Sequence, residues 1–221
     1  MRGRVRPGPG DDGGRRGVRE TGRQTDKTNP PRDRGGRGMI EDLAMHLADL
    51  VENSLRAGAK NIAIALTRCA DNLQIEVSDD GAGIPAWDMA RIGDPFFSTK
   101  PGARIGLGLS LLAQTAEETG GDCSVKSGPE RGTRVTARLG WSHPDRPPLG
   151  DPVGTLAPLI ATSPGVEFTV VLSDDRGTWR LSTREIRERI GDIPLTHPEV
   201  LSFLERSLRE GMEATGLKEE R

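Results

Sequence analysis

The sequence has no tyrosine, and its four phenylalanines and three tryptophans leave aromatic residues at 3% of 221 positions. With 33% hydrophobic residues overall, any core rests mainly on Leu, Ile, Val and Ala. Cysteine is almost as scarce. Cys69 and Cys123 are the only two, without CxxC spacing, which excludes a thiolate zinc site and suits a reducing cytosol. Both read as free, buried thiols. The three histidines, His46, His143 and His197, lie too far apart for a sequence-local metal cluster. No apolar run approaches the ~20 residues of a membrane span, and no signal-peptide core opens the chain, so a soluble cytoplasmic protein is expected.

Negative charge is unevenly missing. The net charge of −2 combines a balance of +6 over residues 1–38, from 11 Lys/Arg against 5 Asp/Glu, with −8 over the remainder. The acidic remainder argues against a large nucleic-acid footprint there. Residues 1–38 hold 10 Gly and 4 Pro and almost no apolar side chains. Such a segment cannot offset its ordering entropy and reads as a disordered basic arm. The arm could touch nucleic acid or an acidic partner; otherwise it does nothing, or translation starts at Met39.

From Met39 the pattern changes. Leu43, Leu47, Leu50, Val51 and Ser54 recur at helical spacing, with Asp42, His46, Asp49 and Asn53 on another face, up to Gly58. The stretches "NIAIAL" and "LQIEVSD" alternate as strands around a turn at Asp71-Asn72. A glycine loop, a short helix near Trp87–Ile92, and a helix from about Leu107 to Thr119 follow. "DCSVKS" and "TRVTARL" form two more strands joined by "GPERG". These elements predict an α/β sandwich, a mixed sheet with helices on one face. A Pro-rich linker, 142–152, precedes a small α+β unit at 153–221, with a turn at Asp174–Gly177 and two helices for which Thr183 and Thr196 are candidate caps.

Three boxes carry chemistry. Glu52-Asn53 on the first helix pairs a carboxylate with an amide oxygen of the hard type that suits Mg²⁺. The carboxylate can polarise a water for attack on a γ-phosphate. Asp79-x-Gly81-x-Gly83 follows a strand directly. Its glycines permit close backbone approach to a ligand, and its carboxylate can accept a hydrogen bond from an exocyclic amine such as adenine's. Gly106-x-Gly108 opens a helix, where backbone amides meet phosphates. The set closes on Gly132-Thr133. The box at Gly106 follows neither the P-loop pattern nor GxGxxG.

In this order and on these elements, the set resembles the superfamily of gyrase, the heat-shock chaperone, histidine kinases and MutL (GHKL) over 39–141. The resemblance implies a Bergerat-type, mostly antiparallel sheet that binds ATP with Mg²⁺. It implies Asn53 as the Mg²⁺ ligand and Glu52 as the catalytic base. Asp79 would bind the adenine amine with help from Thr133, and Gly81 and Gly83 would approach the nucleotide. Gly106, Leu107, Gly108 and Leu109 would form the lid hinge and phosphate cradle, and Lys100 could reach the phosphates. "DPFFSTK" is similar to the phenylalanine box of histidine kinases, although Arg104-Ile105 replaces the usual Gly and Thr and no phosphoacceptor helix pair precedes Met39. His46 reads as a polar surface residue rather than a phosphoacceptor. The tail, through "WSHPDRPPLGDP" and "LSTREIRERIGDIPLTHPEV", is similar to small stand-alone ATP-binding proteins of anaerobic bacteria encoded near iron-only hydrogenase genes.

The implied function is ATP hydrolysis or kinase-like phosphotransfer to a regulatory or substrate protein, or nucleotide-gated regulation of it. No membrane partner is expected, and no nucleic acid except through the basic arm. Alternatives are an anti-sigma-factor-like serine kinase and a non-hydrolysing ATP-gated module. "LVENSLRAGA" is close to the MutL helix, but the chain after the ATP-binding unit is too short for the second domain of a mismatch-repair protein.

Overall fold

The computed structural model describes residues 42–85 and 107–218. The basic arm, the expected helix near Trp87–Ile92 and the "DPFFSTK" box lie outside them. Helix α1 (Leu43–Arg56) starts where the Asp42 carboxylate accepts the Met45 amide at 2.9 Å, an N-cap. It buries Leu43, Leu47, Leu50, Val51 and Ser54 as the apolar spacing predicts. Its end is set by Gly58 in the left-handed region, φ 74°. Strands β1 (Asn61–Cys69) and β2 (Asn72–Asp79) form a tight antiparallel hairpin with Cys69 opposite Asn72. Helix α2 (Leu107–Glu118) leads to β3 (Asp122–Ser127) and β4 (Thr133–Gly140).

Helix α3 (Pro152–Ala161) was not expected from the sequence pattern and starts inside the Pro-rich linker. Proline at the first helical turn gives up an amide that would have no partner anyway, and Pro158 lies on the exposed side. Asp151 caps the helix by accepting the Gly154 amide at 2.9 Å. Strands β5 (Glu167–Asp174) and β6 (Gly177–Ser182) follow, then helices α4 (Thr183–Ile190) and α5 (Pro198–Ala214). The helix N-caps are Ser182 and His197, not Thr183 and Thr196. Thr183 is fully buried; its hydroxyl accepts the Phe168 amide and donates to Glu167 Oε2, at 2.8 and 2.7 Å.

All six strands join one sheet in the order β3-β4-β2-β1-β5-β6, antiparallel except for β1 beside β5. Alternation puts Ile62, Ile64 and Leu66, Leu73, Ile75 and Val77, and Phe168, Val170 and Leu172 on one face. There they meet the apolar stripes of the helices in a single core. The expected C-terminal unit is thus an extension of the same sheet rather than a body behind a spacer. The intervening segment is tied in as well: the amides of Leu43 and Ala44 donate to the carbonyls of Pro148 and Leu149, both at 3.0 Å.

Two further expectations change. His46 is 6% exposed, inside the helix packing rather than at the surface. Cys69 is exposed and Cys123 half-buried, both free thiols; burial pushes the Cys123 thiol up to about 11.

Candidate functional site

On α1, residues four apart share a face, while neighbours diverge by about 100°. Asp49 and Asn53 therefore stand together, and the Asn53 amide donates from Nδ2 to Asp49 Oδ2 at 3.3 Å. Glu52 points away: its side chain is 56% exposed against 28% for Asp49. Arg56 reaches back one turn, with Nη2 3.6 Å from Glu52 Oε2 and 3.9 Å from Asp49 Oδ1. The expected Glu52-Asn53 pair is thus split between two faces. Asp49 shares the Asn53 face.

Asp79 ends β2 and is immobilised by three donors. Its Oδ1 accepts the amides of Gly81 at 2.9 Å and Thr133 at 3.2 Å, and its Oδ2 accepts the Ser54 hydroxyl at 2.7 Å. Ser54 is 3% exposed, so this bond links α1 to β2 and β4 away from water. The adjacent Asp80 does a different job. It accepts the Asn61 side-chain amide and the backbone amides of Asn61 and Lys60, all within 2.8 Å, which pins the loop to the start of β1. These bonds, led by the Asn61 side chain, hold the Asp80 carboxyl below its ordinary range.

The glycines here answer to space. A Cβ on Gly81 would sit 2.8 Å from Ala57 Cβ, and the next amide, Ala82, donates to the Ala57 carbonyl at 3.0 Å. Gly83 and Gly132 have φ of 70° and 69°. A Cβ would strike the Gly128 carbonyl oxygen at the first and the Asp79 carbonyl oxygen at the second. Ser127 stitches the loops together. Its hydroxyl accepts the Ile84 amide and donates to the Gly132 carbonyl, both at 2.8 Å, and lies 2.9 Å from the Thr133 hydroxyl.

A Cβ on Gly108 would run into the Asp49 carboxylate, so the first turn of α2 lies directly against the polar face of α1. Leu107 opens that helix, and Leu109 packs half-buried against the core. Lys100 and Gly106 lie outside the described residues. The structure thus sets Asp79, Gly81, Gly83 and Thr133 in one cluster tied to α1 through Ser54, places Gly108 against Asp49 one turn from Asn53, and leaves Glu52 facing out. It adds Asp49, Ser54 and Ser127, which the motif reading did not single out. Among the described residues no three His, Cys, Asp or Glu side chains cluster as a metal site. A cation here would therefore depend on few protein oxygens and on those of its ligand, as Mg²⁺ beside phosphates does. With Nδ2 committed to Asp49, the amide oxygen of Asn53 is the atom suited to ligation.

Residues 38–142 match the family described as histidine kinase-, DNA gyrase B-, and HSP90-like ATPase. Among its relatives are the sensor histidine kinase RcsC of Salmonella typhimurium, 33% identical over 103 residues, and the sensor histidine kinase DcuS of Escherichia coli, 34% identical over 113. The matches cover 44% and 49% of this chain but only 11% and 21% of those proteins. The MutL ATPase domain of Aquifex aeolicus, solved with ADP, overlays with a TM-score of 0.44 at 19% identity, covering 68% of each chain. The narrower likeness to hydrogenase-associated proteins finds no support in these relatives.

Proposed function

We propose that this site binds ATP with Mg²⁺ and that the chain uses it for hydrolysis or kinase-like transfer of the γ-phosphoryl group to a partner protein. The observation that carries the reading is the Asp79 carboxylate, fixed by Gly81, Thr133 and Ser54, the last of these next to Asn53 on the helix that bears the Asp49–Asn53 pair. A carboxylate already held by three donors keeps acceptor capacity for one more, the exocyclic amine of adenine. Gly81 and Gly83 would hold the loop at the base by letting it pack closely on Ala57 and Gly128. The first amides of α2 at Gly108 face the phosphates. Asn53 would hold the Mg²⁺ through its amide oxygen, and the ion would supply charge neutralisation on the phosphates.

Asp49, rather than Glu52, is the carboxylate that orients an attacking water or acceptor hydroxyl. It is supported by its place against Gly108 and beside Asn53, where Glu52 is turned to solvent. ATP-binding residues 39–141 would then form one working unit with the sheet extension at 153–221. Residues 1–38 would remain a basic arm.

The test is ATP turnover measured with Mg-ATP binding on the same samples of wild type, Asp49→Asn and Glu52→Gln. The expected result is turnover reduced about 10²–10⁴-fold in Asp49→Asn with binding retained, and little change in Glu52→Gln. The reverse pattern would restore Glu52. Binding without turnover in the wild type would make the chain a nucleotide-gated module.

A further inference from the structure

The helix-covered face of the sheet changes character in its last row at the Asp79 end. Val77, Val135 and Val125 stand side by side across β2, β4 and β3. Two residues further along, the same face carries Ser127 opposite Thr133, with Asp79 as the last residue of β2. An apolar row thus gives way to a polar one, Ser127–Thr133–Asp79. At the β2 end of this row the contact is fixed, because Asp79 Oδ1 accepts the Thr133 amide at 3.2 Å.

At the β3 end, the protons decide the arrangement. The Ser127 oxygen accepts the Ile84 amide at 2.8 Å. Its single proton has two acceptors in reach, the Gly132 carbonyl at 2.8 Å and the Thr133 hydroxyl at 2.9 Å. The carbonyl can only accept, and among the described residues it has no other donor. The Thr133 hydroxyl can also donate. Both contacts are therefore made in one way only: Ser127 donates to Gly132, and Thr133 donates to the second lone pair of Ser127. The reverse assignment would leave the carbonyl of buried Gly132 unpaired, which is the costly choice. A threonine hydroxyl that rotates freely serves donors and acceptors alike. With its proton committed to Ser127, the hydroxyl of Thr133 offers lone pairs alone, as the Asp79 carboxylate does.

We propose that Ser127 is a specificity-determining positioning residue. By holding the Thr133 proton, it leaves the base-binding edge with acceptors only, Asp79 and Thr133. Such an edge selects a purine with an amine at its six-position over one with a carbonyl there. The proposal rests on the nucleotide reading of the site. Ser127 does not touch the base; it acts through Thr133.

The test is calorimetric titration of the full chain with Mg-ATP and with the Mg complex of inosine triphosphate, whose ring carries a carbonyl in place of the adenine amine. Wild type, Ser127→Ala and Ser127→Thr are compared, with thermal melts as the folding control. The expected result is a wild-type preference for ATP that shrinks about tenfold in Ser127→Ala, where the freed Thr133 proton can meet the carbonyl. The preference should return in Ser127→Thr, which keeps the hydroxyl. A loop tie with no other role would weaken both nucleotides alike. An unchanged ratio in Ser127→Ala therefore overturns the proposal, while ATP binding by wild type keeps the nucleotide reading. If Ser127→Ala fails to fold, Thr133→Val decides the same point. It should lose about tenfold in ATP affinity and nothing toward inosine triphosphate, and equal losses would overturn the proposal. Wild type that binds neither nucleotide overturns the proposal and the nucleotide reading together.

Discussion

At the Asp79 end of the sheet, three glycines stand where a methyl group would strike neighbouring atoms, and loops are joined through backbone and one buried serine. At the other end, by Arg68, the turn glycine Gly177 has open space around it, and long side chains wall a hollow. One end is tight because its loops pack backbone against backbone and against Ala57. The other is roomy because its wall is built from long side chains around a turn. The two ends of the same six strands should therefore fail in different ways when altered.

The largest contrast is expected from adding one methyl group. Gly83→Ala combines a collision with the Gly128 carbonyl and a left-handed φ of 70°, so unfolding in urea should show a loss of about 3 kcal/mol. Gly177→Ala, with nothing within 4 Å, should change stability by less than about 1 kcal/mol. Equal losses at both positions would erase the distinction between the two ends.

A smaller effect is expected at Ser54. Ser54→Ala removes the buried donor to Asp79 Oδ2 and should cost about 1–2 kcal/mol, read by the same urea titration, with ATP affinity weakened in parallel. Stability lost without any change in affinity would make Ser54 a packing residue only.

The smallest effect concerns Asp80. Its folded-state carboxyl is held below the ordinary value of 3.8, so the stability it contributes is fully present above that value and is lost as pH falls through the lowered one. Melting temperature followed from pH 6 downward should therefore fall less steeply below about pH 4 in Asp80→Asn than in wild type. Identical acid limbs would show that the bonds to Asn61 and Lys60 do not couple to folding.

Much of this was legible in the sequence, for local reasons. The 3.6-residue spacing of Leu43, Leu47 and Leu50 and the alternation in "NIAIAL" and "LQIEVSD" mark α1, β1 and β2, which are found as expected. Asp79 with its glycines is a contiguous motif after a strand, and it is found at one. What sequence hid depends on three dimensions. Glu52 and Asn53 are adjacent in the chain, yet a helix separates neighbours and unites Asp49 with Asn53. The spacing of four that joins them was visible on the same helical face. Ser54 was read as part of the apolar stripe, and its bond to Asp79 spans 25 residues. The alternation in "VEFTVV" gives a strand but not its neighbour, and only the fold reveals that β5 runs parallel beside β1. Helix α3 was obscured by prolines that a first turn and an exposed position tolerate.

The measurement that tests the central claim most directly is calorimetric titration of wild type and Asp79→Asn with Mg-ATP and with Mg-GTP. The account predicts that wild type binds ATP and not GTP, whose ring carries a carbonyl where adenine has the amine, and that Asp79→Asn loses ATP affinity by about tenfold or more while remaining folded. ATP binding that survives in Asp79→Asn, or wild type that binds no ATP, would contradict it.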